Sequence, residues 1–146
     1  MSENYLRLIP EDPSEMPSTE AAAATVAILQ KIFPEAEQIR AHRYGEIKFI
    51  DPGSNLARVL CPDLTGAWPA WMDESSTSHF DARNVIVSCC SKSIDLNDLI
   101  YEWPAGFAKF VLEAVNPKLG GSLTGEALNE LEAALGTRLR QIKAHL

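Results

Sequence analysis

The sequence predicts one α+β domain with a mixed, mainly antiparallel sheet, two main helices on one face, and a roughly ferredoxin-like arrangement carrying an inserted segment. Three observations predict it. The elements read strand, helix, strands in the first third of the chain and strand, helix, strand-like in the last. The length, 146 residues, is that of one ordinary domain able to bury its own core. Residues from about 57 to 103 fall outside the repeated pattern, and they hold all three cysteines and all three tryptophans.

The first strand is expected at Asn4–Ile9, where NYLRLI alternates before Pro10 closes it. Pro13 and Pro17 stiffen the connection that follows. Ser18 or Thr19 can cap a helix running to Phe33, with Glu20 well placed in its first turn. Ala22, Val26, Leu29 and Phe33 share a face at helical spacing, and Ile28 and Ile32 widen it. Pro34 stops it. Glu37–His42 and Glu46–Ile50 read as two strands joined through Tyr44-Gly45, and Asp51-Pro52-Gly53 reads as a turn.

Ala57–Cys61 and Asn84–Cys89 are further strand candidates. A short helix is expected from Trp68 to about Ser75, with Ser75–Ser78 as loop. The apolar run Phe107–Val115 suits either period, but Asn116-Pro117 and Gly120-Gly121 end it abruptly, which favours a strand. Thr124 can cap a helix whose Leu128, Leu131 and Leu135 share a face, and Gly136 is the residue expected just past its end. Arg138–Leu146 reads as strand or helix.

Charge divides the chain unevenly. The formal net charge is −7. Residues 61–103 contribute Asp63, Asp73, Glu74, Asp81, Asp95, Asp98 and Glu102 against only Arg83 and Lys92. Such an acid balance argues against a nucleic-acid partner and against docking on anionic lipid, both of which select basic surfaces. No apolar stretch approaches the roughly 20 residues of a spanning helix, so no membrane partner is expected. Met1-Ser2-Glu3-Asn4 lacks a secretory pattern and three cysteines make a poor disulfide framework, so a cytoplasmic address is expected.

Several segments read as a familiar text: Ser93-Ile94-Asp95-Leu96-Asn97-Asp98-Leu99-Ile100-Tyr101-Glu102-Trp103-Pro104-Ala105-Gly106-Phe107-Ala108, Phe49–Asn55, Cys61-Pro62, Cys89-Cys90 and Leu139–Ile142. Over most of its length the chain resembles a family of small bacterial proteins of uncharacterised function. The resemblance implies a zinc-knuckle-like Cys-Pro-x-Cys and Cys-Cys pattern, and implies no activity. Here Leu64 stands where that pattern has its second cysteine. Cys61, Cys89 and Cys90, with His79 as a fourth ligand, are the remaining metal candidates for zinc, which normally takes four ligands. The alternative is that Cys61 and Cys89 are small buried hydrophobes at strand ends and that no cofactor is bound.

No catalytic motif is present: no phosphate-binding glycine loop, no Gly-x-Ser-x-Gly and no His-Glu-x-x-His. A thiol pair of Cys89 or Cys90 with His79 lacks an orienting third residue. Adjacent strand cysteines also point to opposite faces. Asp95, Asp98 and Glu102 could form a carboxylate centre, although Asp95 equally suits a cap for the turn Leu96–Leu99. His42 and His145 are isolated in the sequence. Trp68 and Trp71 stand three apart, on one helical face, and with Trp103 they lie in the acidic segment.

Aromatic anchors within a charged rim are the usual make-up of a protein-binding surface. The expectation is therefore a non-enzymatic binding protein, monomeric or homodimeric. It would dock a basic protein partner through Trp68, Trp71, Asp73, Glu74, Asp95, Asp98, Glu102 and Trp103, as an immunity or antitoxin-type protein covers a toxin. A small zinc-binding domain and a carboxylate enzyme are the alternatives.

Overall fold

The computed structural model describes residues 4–50, 59–60, 68–86, 93–101, 105–117, 123 and 125–145. Six elements form the body. They are β1 (Asn4–Pro10), α1 (Thr19–Ile32), β2 (Gln38–Ile50), β7 (Gly106–Val115), α3 (Gly125–Leu135) and β8 (Leu139–His145). Between β2 and β7 lie the insert's elements: β3 (Val59–Leu60), α2 (Trp68–Ser76), β4 (Asn84–Ile86), β5 (Ser93–Asp95), a 3-10 turn (Leu96–Asp98) and β6 (Ile100–Tyr101).

The body strands form one sheet in the order β2-β7-β1-β8. Each βαβ unit leaves a gap that a strand of the other unit fills: β7 enters between β1 and β2, and β1 lies between β7 and β8. That is the split βαβ arrangement expected from the element order. All its pairings are antiparallel, so the sheet is antiparallel throughout rather than mixed. The insert adds two two-stranded ribbons, β3-β6 and β4-β5, and a third helix, α2.

Local chemistry explains the boundaries. Ser18 is extended, and its Oγ accepts the Ala21 N–H at 3.1 Å, which satisfies one of the open donors at the start of α1. Ala22, Leu29 and Phe33 are buried as the spacing implies. Thr25 is buried as well, because its hydroxyl bonds back to the carbonyls of Ala21 and Ala22. Gly136 ends α3 at φ +75°, the left-handed conformation glycine adopts without strain. The tail is a strand, since Leu139, Ile142 and Ala144 are needed on the sheet beside β1.

Two expected strands are one. Between the pairs Arg43–Phe110 and Lys48–Ala108, residues 44–47 of β2 face the single residue Lys109 of β7. Tyr44-Gly45 therefore lies in a bulged stretch of one continuous strand and does not separate two strands. In the insert, α2 starts at Trp68 as expected and runs one residue past Ser75, through Ser76. Only residues 84–86 of the Asn84–Cys89 strand and 59–60 of the Ala57–Cys61 strand lie within the described residues. Asp51-Pro52-Gly53 and the proposed cap Thr124 lie outside them.

Apolar side chains gather in three clusters. Leu6, Leu8, Phe110, Leu112 and Leu139 of the sheet meet Ala22, Leu29, Phe33, Leu131 and Leu135 of the helical layer. Each fully buried leucine or phenylalanine among them contributes about 1.5–3 kcal/mol from burial. Alternate residues of the same strands, Ile9, Val111 and Ile142 with Ile50 and Ala108, form a second cluster. The third is the insert's own: Leu96, Leu99, Tyr101 and Phe107, flanked by Phe49, Trp68, Trp71 and Phe80.

Candidate functional site

The insert holds the residues expected to bind a partner, and the structure separates them into an inner and an outer set. Trp68 and Trp71 belong to the inner set, half-buried against the insert's core. The Trp68 ring lies 5.5 Å from Phe49 and edge-on to Tyr101 at 6.3 Å. Its Nε1–H donates to the Tyr101 hydroxyl at 3.3 Å, and that hydroxyl donates to the Leu96 carbonyl at 2.8 Å. Burial, offset in part by the Trp68 hydrogen bond and by the positive charge of Arg140, pushes the Tyr101 phenol up to about 12. These aromatic groups tie α2 to the sheet.

Asp95 also belongs to the inner set. It caps the 3-10 turn, its Oδ1 accepting the Asn97 N–H at 2.8 Å. Arg83 grips the same carboxylate as a fork, from Nε at 3.1 Å and Nη2 at 3.3 Å. Asp98, the last residue of that turn, is exposed. The two carboxylates therefore have different environments, one pinned by a guanidinium and one in solvent.

The outer set is Asp73 and Glu74 on α2, Asp81 after it, and Asp98, all exposed. None of the four forms a salt bridge among the described residues. Near them in the chain, Ile86 at the end of β4 is 69% exposed, the one large hydrophobic residue so placed among the described residues. Sequence reasoning left Asp81 and Ile86 out of the site. Ile86 had no signal, because an apolar residue in a strand is ordinarily assigned to a core. Glu102 and Trp103, the last two expected contact residues, lie outside the described residues, as do Cys61, Cys89 and Cys90.

His79, the fourth metal candidate, sits with Phe80 in a tight turn after α2, at φ +53° and +61°. Two successive non-glycine residues there cost about 1 kcal/mol or more each. The turn is held by the Phe80 N–H on the Ser75 carbonyl at 3.0 Å and by Ser75 Oγ on the Ala82 carbonyl at 2.6 Å. Phe80 packs on Phe107, and His79 Nδ1 contacts Glu46 of the β2 bulge at 2.8 Å. The described residues contain no cluster of three or more His, Cys, Asp or Glu side chains suited to a metal.

A joint of polar residues fastens the insert to the body. Buried Asn97 accepts the Phe107 N–H on Oδ1 at 2.9 Å and donates from Nδ2 to the Glu11 carbonyl at 3.0 Å. Arg140 Nη1 reaches the carbonyls of Ala105 at 2.8 Å and Asn97 at 2.9 Å. Gly106 sits beneath them, where an added Cβ would lie 2.8 Å from Arg140 Nη1 and from Ile9 Cδ1. Asn97, Ala105, Gly106 and Phe107, together with Arg140, therefore build this joint.

A second polar constellation was not expected. On the sheet, Glu113 is 3% exposed and receives Arg40 Nε at 2.7 Å and Arg7 Nε at 2.9 Å, with His42 Nε2 at 3.4 Å. Burial raises the Glu113 pKa, but the hydrogen bonds from Arg40, Arg7 and His42 outweigh it and hold the carboxyl below the ordinary 4.5. The signal was in the sequence: an acid within the otherwise apolar run Phe110–Val115 requires partners once the run is a buried strand.

Comparison with protein-family models, with curated proteins and with solved structures gives no match. Among the described residues, no helix is long and apolar enough to cross a membrane.

Proposed function

We propose that this chain is a non-enzymatic binding protein whose insert docks a basic protein, with neutralisation of a basic toxin, as by an immunity or antitoxin-type protein, as the concrete form. The observation that carries the reading is the division within the insert. Trp68, Trp71, Phe80, Tyr101 and Asp95 pack inward, while Asp73, Glu74, Asp81 and Asp98 stand exposed without a salt bridge among the described residues, with Ile86 exposed in the same segment. An exposed apolar side chain can serve as a desolvated anchor, and exposed acids supply a field that speeds and orients encounter with a basic partner.

The test compares the protein with a variant carrying Asp73→Lys, Glu74→Lys, Asp81→Lys and Asp98→Lys. Each is immobilised and exposed to lysate of its own host, and retained proteins are identified by mass spectrometry. The expected result is one basic protein held near stoichiometrically by the native chain, released at roughly 0.5 M salt, where charges are screened within a few Å, and lost from the variant. Circular dichroism should show the variant folded, since all four side chains are exposed. The same retained set on both proteins would sink the proposed surface.

A further inference from the structure

We propose that the first half of β2, Gln38 to Arg43, receives an extended acidic peptide as a fifth strand of the sheet, with an apolar side chain of the peptide seated in a depression at the end of α1. β2 stands at the sheet's border, with β7 on one side only. Two hydrogen bonds show which of its backbone groups face outward. The Asn116 N–H bonds the Asn4 carbonyl at 2.7 Å, which turns the backbone groups of residues 116, 114 and 112 towards β1. The Val115 carbonyl accepts the Glu37 N–H at 2.9 Å, so residues 115, 113 and 111 turn towards β2. Their register partners Gln38, Arg40 and His42 therefore bond to β7, and Ile39, Ala41 and Arg43 direct their backbone N–H and C=O groups outward. None of those outward groups is hydrogen-bonded among the described residues.

The two faces of this border select the side chains of the added strand. On the helix side, Ile39 borders a depression of about 320 Å³ between the end of α1 and the start of β2. Phe33, Pro34 and Ala36 line it too, with the exposed Gln30 and Glu37 beside them. A peptide side chain directly across from Ile39 lies about 5 Å from it, at this depression. The apolar lining favours an aliphatic group there, and the Glu37 carboxylate disfavours an acidic one.

The next residue of the peptide points to the opposite face, where Arg40 is the cation. The Arg40 side chain is 41% exposed; Nε is held by Glu113 and Nη1 by Gln38, and Nη2 makes no hydrogen bond among the described residues. A guanidinium oriented in this way loses little further freedom when it takes a carboxylate. The stretch Gln38 to Arg43 holds two arginines and no acid, so a peptide alternating aliphatic and acidic residues matches both faces. The main chain supplies the ladder and the side chains the selectivity, as in other additions to a sheet edge. The bulge after Arg43 ends the regular ladder, so only a short segment fits.

The probe is the peptide acetyl-Val-Glu-Leu-Glu-Val-Thr-amide, titrated into isotope-labelled protein and followed by amide NMR shifts. Saturable binding is expected, with the largest shifts at Ile39, Ala41 and Arg43. Replacing the peptide's leucine by alanine should weaken binding about tenfold, and replacing both glutamates by lysine about fivefold or more. Ala41→Pro removes an outward N–H without touching the ladder to β7, and should abolish binding. Circular dichroism establishes that this variant is folded; should it fail to fold, the peptide series decides alone. Absence of saturation overturns the proposal. So does undiminished binding of the alanine or the lysine peptide, which removes the selectivity, and so do shifts centred away from β2 and the end of α1, which place the peptide elsewhere.

Discussion

The body and the insert bury apolar residues by different means. In the body, strands of alternating pattern and helices with an apolar stripe close on each other, and Leu6, Leu8, Leu29, Phe110 and Leu131 are almost entirely hidden. In the insert, short ribbons and a nine-residue helix cannot enclose a core by themselves. Large aromatic rings fill the space, and the hydrogen bonds of Asn97 and Arg140 hold the whole to the sheet. The two regions also treat charge oppositely. The body gathers Arg7, Arg40 and His42 around one acid, Glu113, whereas four acids among the insert's described residues face solvent. A region stabilised by periodic burial can be read from its sequence, and one stabilised by a polar joint is read only once its partners are in place.

The three tryptophans lie in or beside the insert, at 68, 71 and 103, so their fluorescence reports that region while far-UV circular dichroism reports the whole. The comparison breaks hardest in the body: Phe110→Ala should cost about 3–5 kcal/mol and lower both transitions together. Arg140→Met should cost about 2–4 kcal/mol, because it orphans the carbonyls of Ala105 and Asn97. Its effect should appear first in tryptophan fluorescence, ahead of the far-UV signal. Coincident transitions in that variant would show that the insert and body melt as one unit.

A smaller effect sharpens the charge contrast. Glu113→Gln should cost about 1.5–3 kcal/mol at neutral pH, by weakening hydrogen bonds from charged donors. Because the folded pKa of Glu113 lies below the ordinary 4.5, its ionised form stabilises the fold above that value. That contribution is lost as pH falls from 4.5 through the folded pKa. Chemical denaturation between pH 6 and about 3 should therefore show the native protein converging on the Glu113→Gln variant. A constant difference across that range would mean that Glu113 contributes by packing alone.

The legible parts of the molecule follow from these mechanisms. The capping of α1 by Ser18, the left-handed Gly136 and the split βαβ order were all readable, because each depends on residues close in sequence or on element order. Asp95 as a turn cap was readable for the same reason. Its pairing with Arg83 was not, nor was the convergence of Arg7, Arg40 and His42 on Glu113, since those contacts span from 12 to 106 positions and exist only through register. His42 looked isolated in the sequence and is not isolated in the sheet. Tyr44-Gly45 reads as a join between two strands, and only the register against β7 shows that the strand continues through it.

That bulge also bears on how the protein behaves in a crowded solution. With thirteen residues, β2 is the longest strand described and lies at the sheet's border, where its outer backbone groups could template the strand of another molecule. The displaced residues 44–47 interrupt the regular ladder after Arg43, and Arg40, Arg43 and Lys48 put positive charge along the same border. A flat strand of this length would invite fibrous stacking. An interrupted and charged one is a poorer template for such pairing.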